Sequence, residues 1–76
     1  MPLSMCRIGS PVVVKDLSVD EALTKRLYSM GLIKGAFLKV ISTEHQGPVT
    51  IELLGSQLAL GYEIASQIQV VTAKYH

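Results

Sequence analysis

The sequence predicts a mainly β domain: about five short strands curled into a small barrel, with one α-helix inserted after the first strand. Three observations carry this. Helix signals come together once, between Ser18 and Gly31. The rest of the chain breaks into short β-branched or alternating apolar runs separated by glycine and proline. The chain has 76 residues, so residues 1–76 make one domain at most, and five strands laid flat would leave open edges that curling relieves.

Composition bounds what this domain can be. A chain so short hides only roughly 60% of its unfolded surface, so it needs many apolar residues, and 49% are hydrophobic against 17% charged. One cysteine excludes an internal disulfide and suits a reducing compartment. The net charge is +1, with Lys and Arg spread from Arg7 to Lys74. No basic face results, so direct nucleic-acid binding is not expected. No apolar run approaches the ~20 residues that span a bilayer, and no basic leader precedes the apolar N-terminus. A cytoplasmic protein is expected.

Each element follows from local chemistry. Met1 to Cys6 reads as a loose lead-in with Leu3 tucked down, and Gly9-Ser10-Pro11 as a turn. Val12 to Val14 is β-branched and strand-forming; Lys15-Asp16 ends it or faces water. Ser18 is the expected N-cap, with Glu21 closing a capping box and Leu17 and Ala22 at the staple positions. Val19, Ala22, Leu23, Leu27 and Met30 form one apolar stripe at helical spacing. Glu21 precedes Lys25 by four, a pair worth about 0.2–0.5 kcal/mol. Gly31 can take the left-handed stop cheaply. A helix of about 12 residues is unstable alone and needs a sheet to lie on.

Beyond Gly35, Ala36 to Ser42 is a strand, Leu38 and Val40 on one face and Phe37, Lys39 and Ile41 on the other. Thr43 to Pro48 is a loop. Val49 to Leu54 alternates Val49, Ile51 and Leu53 against Thr50 and Glu52, and Gly55-Ser56 is read as the tight turn after it. Gln57 to Leu60 places Leu58 and Leu60 together. Gly61 to Gln67 is one helical turn with Ile64 and Ala65 packed, Ile68 to Val71 is the last strand, and Lys74, Tyr75 and His76 should fray.

Chemistry is sparse. Cys6, His45 and His76 are the only thiol and imidazoles, and no pair has metal-ligand spacing. Glu44-His45 offers two donors where a site needs more. No nucleophile elbow or oriented base is present. The glycines follow the helix instead of feeding its N-terminus, so no phosphate cradle forms. No catalytic, cofactor-binding or metal-ligating residue is assigned, and an enzyme is not expected. What remains is binding. Tyr28, Met30, Leu32, Ile33 and Lys34, around the helix stop, are the candidate partner-binding residues. Leu32 has a competing role, capping the core through a contact typical of a helix C-terminus. Ile33 and Tyr28 are the better candidates for an exposed apolar patch.

The run Arg26-Leu27-Tyr28-Ser29-Met30-Gly31-Leu32-Ile33-Lys34-Gly35 resembles the Arg-Leu-x-x-[Leu/Met]-Gly-[Leu/Met/Phe]-x-Pro-Gly signature of the ferrous iron transport protein A family, FeoA. Leu3, Gly9, Leu58-Ala59-Leu60 and Ala65-x-x-Ile68-x-Val70 fit the same pattern, so the resemblance covers nearly the whole chain. Lys34 stands where the family commonly has proline, and Gly61 where it often has arginine. The resemblance implies an SH3-like β-barrel and a non-enzymatic cytosolic accessory that binds the GTPase portion of the ferrous iron transporter FeoB. It implies kinship with the C-terminal domain of iron-dependent repressors as well. A direct Fe²⁺ or Zn²⁺ sensor is therefore the alternative, and self-association through a barrel edge is a further possibility.

Overall fold

The computed structural model describes residues 1–73; Lys74, Tyr75 and His76 lie outside the described residues. A 3-10 turn, Leu3–Met5, leads into β1 (Pro11–Leu17), α1 (Glu21–Ser29), β2 (Phe37–Thr43), β3 (Val49–Leu53), β4 (Ser56–Leu60), α2 (Tyr62–Ser66) and β5 (Ile68–Thr72). The strands form one sheet in the order β4-β3-β2-β1-β5, with every neighbouring pair antiparallel. The predicted class therefore stands: mainly β, with one main helix after the first strand. The sheet coils in the manner of a small barrel but does not close. Register shifts between Val14 and Asp16 and between Val40 and Ser42 supply the bulges that bend its strands.

One face of the sheet makes the core. Val12 and Val14 of β1, Leu38 and Val40 of β2, Val49, Ile51 and Leu53 of β3, Leu60 of β4 and Ile68 and Val70 of β5 are all buried. Their period of two is the alternation read in the sequence. Leu3, Cys6, Leu27, Leu32 and Ala65 close over them, and no polar or charged side chain among the described residues is buried.

The first six residues are not a loose lead-in. Pro2 bridges Gln69, and the Val70 N–H donates to the Met1 carbonyl at 2.7 Å. The segment thus covers the outer edge of β5 and carries Leu3 into the core.

The helix start differs from the expected one. Asp20 is the N-cap, its Oδ1 accepting from the Leu23 N–H at 2.8 Å. Ser18 cannot serve, because its own N–H donates to the Gln67 carbonyl at 2.8 Å and Leu17 still pairs with Ile68. The sheet holds the chain extended two residues further than local signals suggest, and the capping box and staple are lost with it. Starting at Glu21, α1 buries only Leu27 fully and Leu23 in part; Ala22 and Met30 of the expected stripe are exposed. The Glu21–Lys25 pair does form, at 3.6 Å.

The helix stop is as read. Gly31 has φ +90, the Gly31 N–H donates to the Tyr28 carbonyl at 3.0 Å and the Leu32 N–H to the Leu27 carbonyl at 2.9 Å. This pair of bonds is a Schellman motif, and Leu32 makes its hydrophobic contact beside Leu27 in the core. One further reading shifts by a residue. The hairpin turn is Leu54-Gly55, since Leu53 pairs with Ser56. β1 runs on to Leu17, so of the two readings of Lys15-Asp16 the one that holds is that they face water.

Chemical denaturation separates these roles. Gly31→Ala is expected to cost about 1–2 kcal/mol for its left-handed backbone. Gly61, at φ −59 with open space where a Cβ would stand, is expected to gain about 0.4–1 kcal/mol as Gly61→Ala. Asp20→Ala is expected to cost about 1 kcal/mol, while Ser18→Ala stays within about 0.5 kcal/mol.

Candidate docking surface

The helix stop and the β3–β4 hairpin meet at one end of the sheet. Leu54 and Gly55 have φ 54 and 80, which makes this two-residue loop a type I′ turn in geometry. Such turns favour asparagine, aspartate or glycine at both positions, because other residues pay for φ above zero. Leu54 pays that cost and leaves its side chain 83% exposed. Its Cδ1 lies only 2.8 Å from where a Cβ on Gly31 would sit. Gly31 is thus required for its backbone, whereas the flexible, exposed tip of Leu54 can move aside for a Cβ.

Leu54 stands between two open grooves. One, of about 540 Å³, is lined by Gly31, Ile33, Lys34, Gly35, Ala36, Phe37, Leu53 and Leu54. The other, of about 390 Å³, is lined by Gly9, Pro11, Phe37, Lys39, Glu52, Leu54 and Gly55. Phe37 and Leu54 belong to both, so they form an apolar ridge with a groove on either side. The pairing extends this ridge: Val13 faces Phe37 on one side and Val71 on the other, and Phe37 and Val71 are exposed. Apolar side chains therefore cross the outer face of the sheet, where alternation would place polar ones.

The residues singled out from the sequence separate here. Ile33 and Lys34 line the ridge groove, and the Lys34 Nζ lies 3.6 Å from Asp16 Oδ1. Met30 is exposed but faces a different groove, between α1 and β4. Tyr28 is exposed. Leu32 corrects the candidate set: it is fully buried, so it belongs to the core and offers nothing to a partner. Phe37 and Leu54 were not among the candidates. The signal for Leu54 was present, since it falls one residue past the Val49-Ile51-Leu53 alternation and directly before a glycine.

Among the described residues no group of three His, Cys, Asp or Glu comes together to hold a metal ion. Cys6 is buried, with its Sγ 3.8 Å from the Pro2 carbonyl. Burial pushes its thiol up from the ordinary value, with the N-terminal amino charge pulling the other way. Glu44 and His45 lie with Ser4 and Tyr62 around a polar groove of about 330 Å³. No helix among the described residues is long and apolar enough to cross a membrane.

The FeoA domain model matches residues 1–72. This chain belongs to the FeoA domain family. Among its relatives, a protein of Methanocaldococcus jannaschii named Fe(2+) transport protein A is 39% identical over 74 residues, 97% of this chain and 89% of that one. The solution structure of the FeoA protein from Chlorobium tepidum is 29% identical and superposes with a TM-score of 0.88, over 97% of this chain and 71% of that one. A manganese-dependent transcriptional repressor in complex with manganese is 25% identical with a TM-score of 0.87, over 96% of this chain and 36% of that one. The fold is the SH3-like one of the FeoA proteins.

Two measurements check this geometry. Leu54→Asn puts a favoured residue in the type I′ turn at little loss of burial, and is expected to stabilise the domain by about 1 kcal/mol in chemical denaturation. The raised Cys6 thiol is expected to resist iodoacetamide in the folded protein and react once urea exposes it. A thiol raised by folding stabilises below its unfolded pKa of about 8.5. That contribution is lost as pH rises through the folded value, so the denaturation midpoint should fall on the alkaline side and Cys6→Ala should flatten the fall.

Proposed function

We propose that this protein is a cytosolic, non-enzymatic accessory of ferrous iron uptake. In this reading it binds the GTPase portion of the transporter FeoB through the Leu54–Phe37 ridge and the Ile33 groove. The observation that carries the reading is Leu54. A turn that asks for asparagine or glycine holds a leucine whose side chain is 83% exposed. Folding alone rewards neither choice, whereas an apolar anchor that fills a partner's pocket rewards both. Membership of the FeoA domain family and the relative named Fe(2+) transport protein A support the iron context. The apolar lining of the groove beside Ile33 and Leu54 supports binding.

Burying each large apolar side chain contributes about 1.5–3 kcal/mol, so three such anchors supply about 4.5–9 kcal/mol before association costs, and micromolar affinity also needs the contacts around them. Lys34 is exposed and paired with Asp16, so its contribution is small.

Interferometry with the immobilised cytosolic GTPase portion of FeoB tests this. Wild type is expected to bind at micromolar concentration. Leu54→Asn, though more stable, is expected to weaken binding about tenfold or more, as expected for a central anchor. Lys34→Ala is expected to change it little. Folded wild type that fails to bind at tens of micromolar sinks the reading.

The alternative is direct metal sensing, favoured by the likeness to the manganese-dependent repressor. Anaerobic calorimetry with Fe²⁺ separates the two. A true site would lose its heat in His45→Ala or Cys6→Ser, whereas docking through the ridge predicts that these variants keep their FeoB affinity.

A further inference from the structure

The two edges of the sheet are treated differently. The outer edge of β5 is covered by Met1 and Pro2. β4 pairs with β3 alone. Because Leu53 and Ser56 close a two-residue hairpin, they form a hydrogen-bonded pair, as do Ile51–Leu58 and Val49–Leu60. The backbone groups of Gln57 and Ala59 therefore point away from β3, and they have no hydrogen-bond partner among the described residues. Proteins usually blunt such an edge with lysine, proline or a bulge. β4 reads Ser56-Gln57-Leu58-Ala59-Leu60, without charge, proline or register shift.

Beside this edge runs the groove between α1 and β4, about 270 Å³, walled by Leu23, Leu27 and Met30 on one side and Leu58 and Leu60 on the other. It is too small for a drug-sized molecule but large enough for the alternate side chains of a strand. Arg26 stands on its rim, with no carboxylate within salt-bridge distance among the described residues.

We propose that β4 is a strand-addition site. It takes an extended segment of a partner protein as a further antiparallel or parallel strand, with apolar residues at alternate positions entering the α1–β4 groove and a carboxylate meeting Arg26. The backbone dictates an extended occupant, because only a strand offers donors and acceptors at the spacing of Gln57 and Ala59. Charge selects a partner over a second copy, since β4 has no acid to present to Arg26. The α1–β4 groove shares no lining residue with the two ridge grooves, and this site stands whether or not the ridge meets FeoB.

Amide hydrogen exchange by NMR tests it. The probe is a blocked peptide of about seven residues, long enough to pair the whole of β4, alternating valine and threonine with one central glutamate. Millimolar peptide is expected to slow exchange at Gln57 and Ala59 about tenfold and to leave Ile33 and Leu54 unchanged. The same peptide N-methylated at alternate amides should give no slowing. Arg26→Gln, or glutamine in place of the peptide's glutamate, should weaken binding several-fold. Ala59→Pro removes one outward N–H without touching the β3 ladder and should abolish the protection; if it does not fold, the N-methylated peptide carries the same test. Unchanged exchange at Gln57 and Ala59 with saturating peptide overturns the proposal. Protection that appears without peptide and grows with protein concentration overturns it too, by making the occupant a second copy.

Discussion

The structure depends on one backbone conformation, the left-handed turn at Gly31. At φ +90 it lets two N–H groups reach back to the Leu27 and Tyr28 carbonyls, joining the Met30 N–H already on Leu27 and closing the end of α1. The same turn redirects the chain so that Leu32 enters the core beside Leu27 while Ile33 emerges on the surface. The flexible tip of Leu54 lies beside it. Helix end and core closure are therefore set by one residue. A side chain there would strain the backbone. The helix needs this anchoring, because its nine residues are too few to hold themselves in water and only Leu27 is fully buried.

The sheet, in contrast, is held by many small agreements. Alternation in β2 and β3 puts Leu38, Val40, Val49, Ile51 and Leu53 on one side, and antiparallel pairing stacks them without slippage, since a slip of one residue would expose them all. Coiling then lets α2 and the N-terminal turn cover the end that five strands leave open. The result is asymmetric. Met1 and Pro2 complete one edge, while the other is left bare next to a groove. In a domain whose core is this small, each covering segment matters to stability, so an uncovered edge is a feature to be explained by use.

Much of the fold was legible because it rests on local patterns. Strand alternation, the Gly31 stop and the short α2 are each written within a few neighbouring residues. The misreadings came where distant parts of the chain decided. Ser18 and Glu21 make a sound capping box in isolation, but the Ser18 N–H is taken by Gln67, 49 residues away in sequence, and Asp20 caps instead. The N-terminal segment has no local strand signal, and its order comes from the edge of β5. At the candidate surface, the sequence pointed to the loop after α1 but could not sort its side chains. Leu32 and Ile33 are adjacent and alike, and only the direction of the chain after Gly31 sends one inward and the other outward. Phe37 was read correctly as outward-facing, yet its significance needed Leu54 beside it.

Leu54 is best judged against Gln46, the other non-glycine residue with positive φ among the described residues. Gln46 is polar, exposed and in an open loop, where a left-handed residue costs little more than its backbone term and its side chain is well solvated. The two share a conformation, so the turn itself does not explain what is unusual at Leu54. The difference is the side chain. An exposed leucine alone is ordinary, and a strained turn residue alone is ordinary, but at Leu54 the two penalties fall on one position. Neighbouring exposed Phe37 and Ile33 make the position part of a patch instead of an isolated exception. An apolar patch centred on a locally unfavourable residue is the arrangement in which a partner's contact, and not the fold, supplies the missing stabilisation.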